Sequence, residues 1–181
     1  MKFVQEEFSY ILERKKSKFI AHICPYNQFD SMMKILKEKH PKAKHFVYAY
    51  RFLNEFNQVI ENSSDDGEPK GTGGKPSLNV LSKANIINSA VVIVRYFGGI
   101  KLGTGGLFKA YSDAVNLVCD RSRFIAYENL EIKELIVNHN KLAKVEYELK
   151  KLGIKILNKE FDIDVKLKLQ ATKEKFKMYG I

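Results

Sequence analysis

A chain of 181 residues with 45% hydrophobic side chains is long enough to bury a core, and the composition excludes a disordered or low-complexity polymer. The formal charge of +10 and a pI near 9.4 favour polyanionic partners such as RNA, DNA or an acidic protein surface, although a lysine-rich proteome produces the same balance without any such partner. Two cysteines far apart, Cys24 and Cys119, exclude a disulfide framework and a cysteine-based zinc site.

No stretch approaches the roughly 20 apolar residues of a membrane span, and MKFVQEEFSY lacks the apolar run of a signal peptide, so a soluble, cytoplasmic protein without a membrane partner is expected. Residues 6–24 read as two extended segments around the polar group Arg14 to Lys18, a hairpin whose lysines form a solvated turn or add to a basic face. Pro25 ends the second strand. Phe29, Met32, Met33 and Leu36 then recur at helical spacing, and Pro41 closes that helix after His40. The histidines at 22, 40 and 45 match no metal-ligand spacing, so no metal is expected.

Phe46 to Phe52 is a β-prone run, and Val59 and Ile60 begin a short partner for it. Residues 61–76, ENSSDDGEPKGTGGKP, carry no large apolar side chain and predict a long loop, which in a compact domain is functional or disordered. A short helix is expected from Ser77 to Ala84. Ala90 to Val94 is an unbroken apolar run, the pattern of a central strand covered on both faces. Gly98, Gly99, Gly103, Gly105 and Gly106 follow, and Leu107, Ala110, Tyr111, Ala114, Val115 and Val118 mark a helix that the cations of Arg121 and Arg123 close. A domain boundary is expected there, giving domains 1–122 and 123–181. The second domain reads as a strand from Leu130 to Val137, a helix from Leu142 that Gly153 stops, two alternating strands over 154–161 and 163–169, and the start of another helix. A β-α-β-β-α order is a ferredoxin-like half sandwich without its last strand.

The glycine-rich turn before the long helix suggests anion binding, because backbone N–H groups and the positive dipole end converge there. Arg95, Lys101 and Lys109 add charge, and Thr104 is placed to cap the helix. The turn nevertheless fails the P-loop test: Gly74-Lys75 runs into Pro76, and Thr104 stands where Gly98 and Gly103 would require lysine. It also fails the dinucleotide pattern, since Gly98-Gly99-Ile100-Lys101-Leu102-Gly103 does not supply G-x-G-x-x-G. The acidic cluster Asp65, Asp66 and Glu68 is open to two readings, a magnesium or general-acid site and a solvated turn set by Asp66-Gly67. No catalytic constellation emerges, and no cofactor is expected.

Two long stretches in order, Asp65-Asp66-Gly67-Glu68-Pro69 with Gly71-Thr72 and Gly74-Lys75-Pro76, then Arg95-Tyr96-Phe97-Gly98-Gly99-Ile100-Lys101-Leu102-Gly103-Thr104-Gly105-Gly106-Leu107 with Ala110-Tyr111-Ser112, resemble the signature of the IMPACT family, called YigZ-like in bacteria. The likeness is close over residues 5–120. It implies an α+β protein of two domains: an N-terminal domain similar to the second domain of small-subunit ribosomal protein number five, with relatives in elongation factor G domain IV and in small-molecule kinases, and a ferredoxin-like C-terminal domain similar to elongation factor G domain V. Compared with that pattern the chain ends early, at Ile181, and an incomplete C-terminal domain is expected.

Eukaryotic members of the family regulate translation by competing for the activator of a kinase, so the resemblance implies translation-linked or RNA-linked work. Three readings follow. The first is a non-enzymatic protein binding RNA, the ribosome or a component of the translation apparatus through Lys75, Arg95, Gly98, Gly99, Lys101, Gly103, Thr104, Gly105, Gly106 and Lys109. The second is a nucleotide- or phosphate-binding protein with magnesium-dependent activity at Asp65, Asp66 or Glu68. The third is a protein-interaction module without nucleic acid. In each, the acidic loop and the glycine turn form one surface.

Overall fold

The alternation and periodicity of the chain resolve into ten strands and five helices in the computed structural model, which describes residues 1–181. The chain divides into two units, Met1–Tyr127 and Glu128–Ile181. The first contains β1 (Lys2–Val4), β2 (Phe8–Arg14), β3 (Ser17–Pro25), α1 (Phe29–Lys39), β4 (His45–Leu53), β5 (Val59–Ser64), α2 (Gly74–Lys83), β6 (Ser89–Tyr96), α3 (Gly103–Arg121) and β7 (Phe124–Ala126). Five of these strands form an antiparallel sheet in the order β2-β3-β6-β4-β5.

Strand β6 lies at the centre of that sheet, as its apolar run predicts, and every residue from Ser89 to Arg95 is buried. Val91 and Ile93 enter the core beneath α2 and α3, with Phe19, Val47, Leu81, Tyr111 and Val115. Ala90, Val92 and Val94 enter a second core beneath α1, with Met32, Leu36 and Phe46. Helices on both faces therefore remove the polar side that antiparallel sheets commonly keep. Between β2 and β3, Lys15 and Lys16 take positive φ angles of 46° and 62°, the backbone of a two-residue hairpin whose twist matches its strands.

The expected loop over 61–76 is shorter than its composition suggests. Glu61 to Ser64 continue β5 and pair with Tyr48 to Arg51, while Gly74, Lys75 and Pro76 form the first turn of α2. A polar strand persists because β5 is an edge, where exposed polar side chains cost little and Arg51 bonds Glu61 at 3.0 Å. Strand β7 pairs with β1, which extends the first unit through Tyr127, past the expected 122.

The second unit runs β8 (Leu130–Val137), α4 (Leu142–Lys151), β9 (Lys155–Phe161), β10 (Val165–Thr172) and α5 (Lys173–Tyr179), with an antiparallel sheet in the order β8-β10-β9. Val165, Leu167, Leu169 and Ala171 point into its core with Val137, Leu149 and Phe176, while the residues between them face outward. Gly153, at φ +64°, ends α4 in the left-handed conformation that glycine takes without steric cost. No helix is long and apolar enough to cross a membrane.

Candidate functional site

The acidic residues between β5 and α2 form the turn that Asp66-Gly67 predicts, with both residues exposed at positive φ angles of 43° and 84° and the Glu68 N–H donating to the Asp65 carbonyl at 3.0 Å, but their carboxylates bind within the protein and do not group around a metal site. Asp65 reaches forward to the start of α2, where Oδ2 accepts from the Gly71 N–H at 2.7 Å and Oδ1 accepts from the N–H groups of Gly73 and Gly74, both at 2.8 Å. A carboxylate at a helix N-terminus satisfies orphan donors and complements the dipole. Burial opposes ionisation of Asp65, but the three backbone donors outweigh it and hold the carboxyl below its ordinary range. Asp66 pins the same loop to β4: its Oδ2 accepts from the Phe46 N–H at 2.6 Å, and its carbonyl accepts from His45 Nδ1 at 2.8 Å. That bond fixes the Nδ1 proton of His45.

Glu68 is buried. Its Oε1 is bonded to Arg95 Nη1 from the end of β6 and accepts the Tyr111 hydroxyl of α3 at 2.8 Å. The Arg95 guanidinium also lies 5.4 Å from the centre of the Phe19 ring and 5.8 Å from that of Phe97, while Tyr111 meets Phe19 edge to face. Burial raises the Tyr111 hydroxyl far above its ordinary pKa, with the Glu68 carboxylate adding to the effect, so it stays a donor to Glu68. This network joins the acidic loop, the central strand and the long helix. It neutralises most of the charge that Arg95 was expected to offer a ligand.

Above the network opens a cleft of about 740 Å³. Its walls are Lys42 and Lys44 from the α1–β4 connection, His45 at the start of β4, Glu68 and Pro69 from the acidic loop, Arg95 and Tyr96 at the end of β6 with Phe97 just past it, and Lys101, Leu102, Gly103, Thr104 and Leu107 around the start of α3. The acidic loop and the glycine turn thus share one surface. Glu68 is the single carboxylate in the wall, and its charge is met by Arg95, so Lys42, Lys44 and Lys101 leave the cleft basic.

The expected site residues separate into three groups. Arg95, Lys101, Gly103, Thr104 and Glu68 line the cleft. Thr104 does not cap α3: it lies inside the helix, which begins at Gly103 and has no side-chain cap. Gly98 serves packing, since a Cβ there would stand 1.9 Å from the carbonyl carbon of Lys16, and its N–H donates to Ser17 Oγ at 3.2 Å. Gly99, Gly105, Gly106, Lys109 and Lys75 lie outside the lining, and Lys75 sits in the turn of α2 that Asp65 already occupies. Lys42, Lys44, Phe97 and Tyr111 were absent from the expected set. Phe97 and Tyr111 stood within the family signature without a role, and the signal for the lysines was the basic segment Lys42-Ala43-Lys44 ahead of a strand.

No three His, Cys, Asp or Glu side chains form a group able to hold a metal ion. Burial pushes the thiols of Cys24 and Cys119 up to about 12, which leaves them protonated and weakly nucleophilic at neutral pH.

Fold and cleft together define a two-unit α+β protein whose larger unit carries a basic cleft beside a glycine-rich helix start. Residues 15–119 match the family described as the Impact N-terminal domain. The chain is 34% identical over 150 residues to the IMPACT family member YvyE of Bacillus subtilis, covering 81% of this chain and 68% of that one, and 34% identical over 160 residues to the IMPACT family member YigZ of Escherichia coli, covering 87% and 78%. A crystal structure of a hypothetical protein superposes on 98% of this chain and 88% of its own with a TM-score of 0.65 at 29% identity. The chain belongs to the IMPACT family.

Proposed function

We propose that this protein is a non-enzymatic, translation-linked binding protein that holds RNA, free or within the ribosome, in the basic cleft. The observation that carries the reading is the ring of Lys42, Lys44 and Lys101 around a wall whose one carboxylate is already paired. Cations without competing carboxylates attract phosphates, and the exposed Phe97 ring offers a face for a base to stack on. The net charge of +10 and the translation-linked work that the family resemblance implies support the same partner class. A binding role is favoured over catalysis because Glu68 is held by Arg95 and Tyr111, not poised as a general base.

Co-sedimentation with ribosomes and with single-stranded RNA across a salt series tests the reading. Three lysines neutralising phosphates of single-stranded RNA predict a slope of log affinity against log salt near about −2. Binding that is absent, or flat from low to high salt, overturns it. Retention of a defined protein partner after nuclease treatment would replace RNA with a protein surface as the occupant of the cleft.

A further inference from the structure

Strand β8 is an edge of the second unit's sheet, and it is left regular and apolar. It pairs with β10 in unbroken register over all eight residues from Leu130 to Val137, and no strand pairs with its other side. The free side of such a strand is a row of unpaired backbone N–H and C=O groups, a template that natural proteins cover, twist away with a bulge, or guard with charge. The opposite edge, β9, is protected in this way. Its ladder with β10 slips past Leu157, and Lys155, Lys159 and Glu160 are exposed along it. β8 has no bulge, and its outward residues are Leu130, Ile132, Glu134 and Ile136. The three aliphatic side chains are 45%, 54% and 69% exposed, while Glu134 is paired with Lys166 at 3.0 Å.

Charge selects the partner. β8 holds two glutamates, one lysine and no aromatic ring, which suits neither an RNA backbone nor a stacked base. Glu131 and Lys133 lie on the other face, half-buried, and Lys133 Nζ is held 5.3 Å from the centre of the Phe176 ring. Charges in such positions deter pairing with a strand of arbitrary sequence. Read antiparallel, however, the segment complements itself. A two-fold antiparallel pairing is centred on one residue, because opposed side chains share a face of the sheet. Centring on Glu131, Lys133 or Glu134 would set like charges directly opposite, which destabilises the pair. Centring on Ile132 sets Ile132 against its own copy and opposes Glu131 to Lys133 twice.

We propose that β8 pairs antiparallel with β8 of a second copy of this chain, centred on Ile132, and joins two three-stranded sheets into one. The pairing satisfies the free backbone groups, covers Ile132 with its copy and forms two Glu131–Lys133 ion pairs. It lies in the second unit and does not depend on how the cleft is read.

Sedimentation equilibrium of the full chain over a micromolar concentration series tests the proposal, since a single strand edge is a small interface and gives weak association. The expected result is a reversible rise in mass from 20.9 kDa toward twice that value. Ile132→Lys, at an exposed position, should keep the circular dichroism spectrum and abolish the dimer, whereas Ile163→Lys, exposed and outside β8, should keep both. Glu131→Lys and Lys133→Glu should each weaken association by roughly tenfold, and the double variant should restore it. Under oxidation Ile132→Cys should cross-link, because its two copies stand opposite with Cβ atoms about 5 Å apart. The two copies of Ile136→Cys, about 26 Å apart along the strands, should not. A single 20.9 kDa species at every concentration overturns the inference. So does a dimer that Ile132→Lys leaves intact, or a cross-link that forms as readily at position 136 as at 132.

Discussion

Helices α2 and α3 cover the same face of the five-stranded sheet and both begin in glycine-rich sequence, but their first turns are in opposite chemical states. At α2 the N–H groups of Gly71, Gly73 and Gly74 are consumed by the Asp65 carboxylate, an anion supplied by the chain itself. At α3 no side chain closes the end, and the turn opens onto a cleft walled by lysines. A glycine-rich helix start is therefore not an anion site by composition. What decides is whether the chain has already filled it. The same contrast explains why Lys75, for all its likeness to a P-loop lysine, adjoins an occupied helix end, whereas Lys101 adjoins an open one.

Between the two ends lies the Glu68–Arg95 pair, and its loss gives the largest expected effect. Glu68→Ala leaves the Arg95 charge buried and uncompensated and should cost about 3–5 kcal/mol in chemical denaturation, because removing one partner of a buried pair exposes the full desolvation penalty of the other. A loss below about 1 kcal/mol, the scale of a surface pair, would show that the acidic loop is not tied to β6 as described.

A smaller effect separates the helix ends directly. Asp65→Ala removes the anion at α2 and should cost about 1–2 kcal/mol, the worth of a helix cap, while leaving RNA binding in the cleft unchanged. The lowered pKa of Asp65 gives this contribution a pH signature. It is fully present above the ordinary carboxylate pKa, about 4, and is lost as pH falls through the lower folded value, since acid protonates the carboxylate that the N–H groups hold. The stability gap between the wild type and Asp65→Ala, followed by denaturation from neutral to acid pH, should therefore close below about pH 4. A gap that is constant or widens in acid would contradict the capping role. Altered RNA binding in Asp65→Ala at neutral pH would erase the contrast between the two helices.

Local pattern carried most of the architecture. The unbroken run at β6 announced a strand buried on both faces, the spacing from Leu107 to Val118 announced α3, and the alternation from Ile163 to Leu169 announced β10, which begins two residues later at Val165 and leaves Ile163 exposed. Each of these signals lies within one element. What composition concealed was set by partners distant in sequence. Glu61 to Ser64 are polar enough to read as loop and become strand because β4 pairs with them. Asp65, Asp66 and Glu68 look alike in sequence but serve a helix end, a strand backbone and a buried arginine, and Glu68 finds Tyr111 across 43 residues. Gly98 and Gly105 belong to one glycine-rich stretch of sequence, yet one is pressed against the Lys16 backbone and the other, inside α3, faces open space. The cleft itself was half legible: the glycine turn and acidic loop marked one side, while Lys42 and Lys44 reach it only because β4 begins next to β6.

The most direct test of an occupied α2 end and an open α3 end is to titrate inorganic phosphate into isotope-labelled protein and follow the backbone amide resonances of both first turns. Saturable shifts at Gly103, Thr104, Gly105 and Gly106, with Gly71, Gly73 and Gly74 unmoved, are the predicted result. Shifts at the α2 glycines with the α3 amides silent would contradict the account.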